Sequence, residues 1–201
     1  MTKVDFYGKI HVAKLKLKGY KKMIYMILAN GFEEIEAIEP LDILRRGGVD
    51  IKTVSISDTK TVNGSHGIKI SADITLEELC LDDMEMVILP GGMGHELLDA
   101  SNDVHAILNY AVAHKKYIAA ICASPSILGK KMILSGKKAT CYPGFEKYCY
   151  DAVITKDKAI RDGLIITGRG PGAAADFGFM LLEILKDKKT AQSLMMDMQY
   201  E

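Results

Sequence analysis

The stretch KYIAAICASPSILGK, residues 116–130, passes from apolar, β-leaning residues into a small-residue helical pattern, with Cys122 at the junction. A buried strand running into a tight turn and a helix is the unit from which parallel sheets are built, and the rest of the chain repeats it. MEMVILPGG (84–92) is a short apolar run ending in a Pro-Gly-Gly turn, MIYMILA (23–29) is another followed by Asn-Gly, and DIKTVSIS (50–57) is a third. Between them, residues 33–46 and 103–116 have helical period. Residues 171–186 form a helix opened by Pro171 and Gly172, with a shorter helix after it, and a further helix begins near Ala123. Pro40 interrupts the first helical pattern and predicts a kink or a late start there. Asn63-Gly64 between alternating residues predicts a β-hairpin in TVNGSHGIKISAD, while KKATCYP (137–143) and three runs within 152–168 predict short strands. Strands alternating with helices of a dozen or so residues imply an α/β fold, a mostly parallel sheet covered by helices on both faces.

At 201 residues with 48% hydrophobic content, the chain suits one domain with a sizeable core. Lys plus Arg equals Asp plus Glu at 26 each, so the net field that nucleic-acid binders use is missing, and no nucleic-acid partner is expected. The apolar runs are far shorter than a membrane span, so no membrane partner is expected either. Four cysteines lack any C-x-x-C spacing, which disfavours a zinc knuckle or a thioredoxin-type pair, and free thiols without a signal peptide fit a reducing cytoplasm. Residues 1–22 hold seven Lys and one Asp, leaving 19 basic and 25 acidic residues in 23–201. They read as a basic extension outside the core, whether an added leader or an upstream start with Met23 as the working start. AKLKLK within them has the alternation of an edge strand. Residues 23–201 read as the single domain.

In an open parallel sheet, chemistry collects at the carboxyl ends of the strands. Ala120-Ile121-Cys122-Ala123-Ser124 meets the demand of a nucleophile elbow for small neighbours two positions to either side, and a helix amino terminus there favours thiolate. The alternative is a buried structural cysteine. Gly91 and Gly92 let backbone N–H groups approach a ligand or form an oxyanion hole; the alternative is a plain turn. Glu33, Glu34 and Glu36 suit a helix start, where acidic residues usually serve as caps. One buried carboxylic acid beside a thiolate would be different, and spacing leaves open which of the three it is. Of the five histidines only His95, just past the Pro-Gly-Gly turn, is placed near the proposed site. TGRGPGAAADF (167–177) has neither a P-loop Lys-Ser/Thr nor the first-turn position of a dinucleotide fingerprint, so its glycines read as packing; no cofactor and no metal are expected.

With ANGFEEIEAIEPLDILRRGGVDI, VILPGGMG, YIAAICASPSIL and DGLIITGRGPGAAADFGFMLLEIL in the same order and spacing, the chain resembles the ThiJ/PfpI superfamily, in the branch of the parkinsonism-associated protein deglycase and its bacterial relatives. The resemblance covers residues 23 to about 186. It implies a flavodoxin-like, class I glutamine-amidotransferase-like sandwich and a homodimer. It also implies that Cys122 is an oxidisable nucleophile, that Glu36 is the carboxylic acid bonded to it, and that Gly91, Gly92 and Ala123 supply backbone amides. The activity it implies is a cofactor-independent deglycase or glyoxalase acting on a small dicarbonyl such as methylglyoxal, or on glycated substrate. The alternative is an oxidative-stress sensor or redox-regulated chaperone. Two departures matter. Protease-like members place His directly after the Cys, where this chain has Ala123, which disfavours a peptidase. The branch's His in a T-x-x-P setting is Tyr142 here, and a phenol titrating near pH 10 is a poor general base at neutral pH. Tyr142 and His95 are therefore auxiliary candidates. Nothing in the sequence supports the thiazole-phosphate role attached to some relatives.

Overall fold

The structure, a computed structural model, describes residues 22–200. The basic extension lies outside these residues except for Lys22, whose Nζ meets Glu85 at 2.8 Å. In chain order the elements are β1 (Met23–Leu28), α1 (Glu34–Arg46), β2 (Ile51–Ser55), β3 (Thr61–Asn63), β4 (Lys69–Ser71), β5 (Ile74–Thr75), β6 (Met84–Leu89), α2 (His95–Ala100) and α3 (Asn102–Ala113). They continue with β7 (Tyr117–Ile121), α4 (Pro125–Lys130), β8 (Lys138–Ala139), β9 (Val153–Ile154), β10 (Ala159–Asp162), β11 (Ile165–Gly168), α5 (Ala174–Leu185) and α6 (Lys188–Asp197).

Seven strands form one sheet in the order β10-β11-β7-β6-β1-β2-β5, parallel throughout except for the β10–β11 edge. Side chains alternate across a strand, and β1 shows what this does in a doubly covered sheet. Ile24, Met26 and Leu28 join a core with Ile43 and Leu44 of α1 and Phe177 and Leu182 of α5. Met23, Tyr25 and Ile27 join the opposite core with Ile107 and Leu108 of α3 and Ile127 of α4. Both faces being buried is why these strands read as unbroken apolar runs.

Pro40 neither ends nor delays the first helix: α1 runs through it from Glu34 to Arg46. Its ring lies where α5 comes closest, since a Cβ on Gly178 would meet Pro40 Cα at 3.0 Å. Packing between the two helices outweighs the one hydrogen bond that proline removes. The hairpin also departs from expectation. β3 and β4 pair antiparallel, with Asn63 opposite Lys69, so Asn63-Gly64 is not a two-residue turn. The Gly64 N–H bonds the Ile68 carbonyl at 2.8 Å, and the Glu34 carboxylate fills the wider loop, accepting from the His66 N–H at 2.7 Å. Of KKATCYP only Lys138 and Ala139 are strand, paired with β9.

Candidate active site

Strands β7, β6 and β1 are adjacent and parallel, so their carboxyl ends bring Cys122, Pro90-Gly91-Gly92 and the 29–36 segment to one edge. Cys122 has φ +65°, the left-handed conformation that a non-glycine residue adopts at a cost. Its main chain is held on both sides: its N–H donates to the Gly168 carbonyl at 2.9 Å, and its carbonyl accepts from the Tyr142 N–H at 2.8 Å. Ser124 Oγ donates to the Pro90 carbonyl at 2.5 Å, tying the elbow to the Pro-Gly-Gly turn. The thiol is 8% exposed.

The three glutamates have three different fates. Glu33 is the N-cap of α1: its N–H bonds the Gly91 carbonyl at 3.1 Å, and its carboxylate accepts from the Glu36 N–H at 2.8 Å. Glu34 organises the hairpin loop. Burial pushes its carboxyl up, but the His66 ring and the N–H groups of His66 and Ile68 outweigh that and hold it below its ordinary value. Glu36 is fully buried and faces the thiol. Its Oε2 accepts from the Gly91 N–H at 3.0 Å, while Oε1 has no partner of good geometry. The thiol and the Gly91 N–H are the two donors that meet the carboxyl.

Burial pushes the Glu36 carboxyl up to about 7. Burial, then the Glu36 charge and the hydrogen bond to Glu36, also push the Cys122 thiol up, against a downward pull from the N–H groups of Gly92 and Ala123. The depressed thiol expected from a helix amino terminus is therefore not what the surroundings give, because burial and Glu36 outweigh the two amides. The two groups face each other closely enough to exchange a proton. When the carboxyl holds that proton its repulsion of a thiolate vanishes, and the thiolate keeps two amide donors.

The expected amides do not all point the same way. The Gly91 N–H is engaged by Glu36, so only those of Gly92 and Ala123 face the sulfur. Gly91 is needed for its lack of a side chain: a Cβ there would lie 2.5 Å from Cys122 Cβ and 2.5 Å from Glu36 Oε2. His95 does not reach the thiol; its Nδ1 meets the Gly92 carbonyl at 2.8 Å and its ring packs edge-on against Phe145. Tyr142 is 46% exposed and contributes its main-chain N–H, while its ring lies over Gly170. A Cβ on Gly170 would stand 3.9 Å from Glu36 Oε1. That glycine, read from sequence as packing, lies between the buried carboxyl and a cavity of about 260 Å³ lined by Tyr142, Lys158, Arg169, Gly170 and Pro171. A larger cavity of about 740 Å³ between β10 and the last two helices shares Lys158 with it, and its lining includes none of Cys122, Glu36, Gly91 and Gly92. No metal was expected, and Glu33, Glu34 and His66 do bring ligand atoms within 4.8 Å of one another, but Glu34 already bonds the His66 ring at 2.8 Å.

Known proteins are similar to most of the chain. Residues 22–184 match the model of the DJ-1/PfpI family. The chain is 36% identical to protein DJ-1 homolog B of Arabidopsis thaliana over 85% of its own length, and spans 40% of that longer relative. It is 29% identical to the glutathione-independent glyoxalase DJR-1.2 of Caenorhabditis elegans, covering 87% of this chain and 94% of that protein. The solved structure of Drosophila melanogaster DJ-1beta superimposes with a TM-score of 0.84 at 32% identity, over 90% of this chain and 99% of that one. With the family model matched over residues 22–184, the chain belongs to the DJ-1/PfpI family.

Proposed function

We propose that the chain is a cofactor-independent enzyme of the glyoxalase or deglycase type, converting small α-oxoaldehydes such as methylglyoxal, or their early adducts on proteins, into hydroxy acids. The observation that carries this reading is the fully buried Glu36 carboxyl, raised to about 7 and facing Cys122 with one oxygen unpartnered. A group with that proton affinity both gives and takes a proton at neutral pH. The Cys122 thiolate attacks the aldehyde carbon, and Glu36 protonates the resulting oxyanion within reach of the Gly92 and Ala123 amides. The Glu36 carboxylate then takes the proton from the former aldehyde carbon, the hydroxyl proton on that carbon passes to the neighbouring carbonyl oxygen, and Glu36 returns its proton to the neighbouring carbon, leaving a thioester that water cleaves to the hydroxy acid and free thiol. The name of the Caenorhabditis elegans relative supports this class of substrate.

Lactate formed from methylglyoxal is the direct measure. It is expected from wild-type protein and lost in Cys122→Ser and Glu36→Gln; lactate production that persists in either variant overturns the reading.

A second reading is favoured by the two amides at the sulfur. Oxidised to a sulfinate, Cys122 would be held by the N–H groups of Gly92 and Ala123 and by protonated Glu36, making the chain a redox sensor in a reducing cytoplasm or a redox-regulated chaperone. Mild peroxide adding two oxygens to Cys122 before any other thiol supports it. A homodimer fits either reading, since Ile35, Ile38, Ile68 and Met93 are exposed around the start of α1. Sedimentation at micromolar concentration tests that, with a monomer as the contrary result.

A further inference from the structure

The chemistry above leaves two buried nucleophiles unused. Cys141 and Cys149 are 3% and 4% exposed, and their thiols hydrogen-bond one another. Cys141 follows β8, one residue before the Tyr142 N–H that holds the Cys122 carbonyl. Cys149 closes the turn Glu146–Tyr148, its N–H bonding the Glu146 carbonyl at 3.0 Å. That turn is pressed onto α4: the Tyr148 carbonyl and Cys149 Cα occupy the space that a Cβ on Gly129 would take. The two sulfurs are thus brought together by contacts on both sides of the elbow.

We propose that Cys141 and Cys149 form a second redox site, closing to an intramolecular disulfide when a hydroperoxide oxidises them. The hydrogen bond between the thiols stabilises the first thiolate formed in the pair, so Cys149 is held below its ordinary value and Cys141 above it. Cys149 sulfur attacks the hydroperoxide, taking one oxygen as a sulfenic acid and releasing an alcohol, or water from hydrogen peroxide. Cys141 sulfur then displaces that oxygen as water and the S–S bond forms. Two thiols and one hydroperoxide give one disulfide, one alcohol and one water, and a thiol reductant reverses the step. Access to the buried pair comes through local opening of the segment between the short strands β8 and β9. The closed loop contains Tyr142 and Phe145, so oxidation stiffens the wall beside Cys122 and His95.

Full-length protein carrying Cys122→Ser, so that the elbow thiol does not compete, is treated with stoichiometric hydrogen peroxide, alkylated with iodoacetamide and mapped by mass spectrometry. The expected product joins the Cys141 and Cys149 peptides with the loss of two hydrogens, is reversed by dithiothreitol, and leaves Cys80 alkylated. Wild-type chain treated with diamide gives the same linkage without added oxygen. In Cys141→Ser, no intramolecular linkage forms and Cys149 carries its added oxygen instead, as a sulfenic acid trapped by dimedone, because the resolving partner is missing; a linkage that persists in this variant also overturns the proposal. Full alkylation of both cysteines after oxidation, sulfinic acid on either without linkage, or pairing with Cys80 overturns the proposal.

Discussion

Cys122 and Cys149 are both buried free thiols, the first just after β7 and the second between β8 and β9, yet their surroundings differ in the one respect that governs chemistry. Cys122 sits in a positive-φ elbow against a carboxyl and two amides. Cys149 sits at the end of an ordinary turn against another thiol. Burial alone raises a thiol and makes it inert; what each sulfur can do is set by the group it faces. A carboxyl that trades a proton suits addition to a carbonyl, whereas a second thiol suits disulfide formation.

The largest effect should come from exchanging sulfur for oxygen at the two sites. Cys122→Ser is expected to lower methylglyoxal turnover by roughly 10³-fold or more, as for other removed nucleophiles. Cys149→Ser should keep turnover within about threefold, since removing a thiol outside the reacting atoms leaves the nucleophile and its proton carrier in place. Comparable losses from both would erase the distinction.

Next comes the cost of the buried carboxyl. Glu36 is raised from 4.5 to about 7 on folding, so its favourable contribution is full below pH 4.5 and is lost as pH rises through 7. Urea unfolding of the wild type should therefore give a stability lower at pH 8 than at pH 5 by on the order of 3 kcal/mol from this group. Glu36→Gln, which keeps an acceptor for the Gly91 N–H, should flatten that slope, and an unchanged slope would show that the carboxyl is not held neutral.

Gly129→Ala probes the other side of the comparison. Its Cβ would enter the space of the Tyr148 carbonyl and Cys149 Cα, so a loss of about 1–3 kcal/mol from overpacking is expected in thermal or urea unfolding. Wild-type stability would mean that the Cys149 turn is not pinned to α4. The smallest effect is expected for Tyr142→Phe. The ring stays over Gly170, the main-chain N–H still holds the Cys122 carbonyl, and the exposed hydroxyl loses nothing buried, so kcat/KM should stay within about twofold. A tenfold fall would make the phenol a participant in proton transfer.

Much of this was legible in the chain because it is local. Short apolar runs followed by helical period marked the parallel sheet, and small residues around Cys122 marked the elbow. The features that escaped are tertiary. Pro40 breaks an isolated helix but not one whose neighbour comes close at Gly178. Asn63-Gly64 signals a tight turn only until the Glu34 carboxylate, some 30 residues away, props the loop open. The division of labour among Glu33, Glu34 and Glu36 depends on which groups each meets across the sheet edge, as does the diversion of the Gly91 amide to Glu36. The contact between Cys141 and Cys149 has no sequence signal, because the turn that joins them is set by the missing Cβ of Gly129.

The crowding at Gly91 also decides what may stand at that position. Any Cβ there would land on Cys122 and on the Glu36 carboxylate, so the thiol and the carboxyl face each other across a space that only glycine leaves clear. Even a methyl group would have to push the two apart, and the proton exchange proposed for them rests on an atom the chain does not carry.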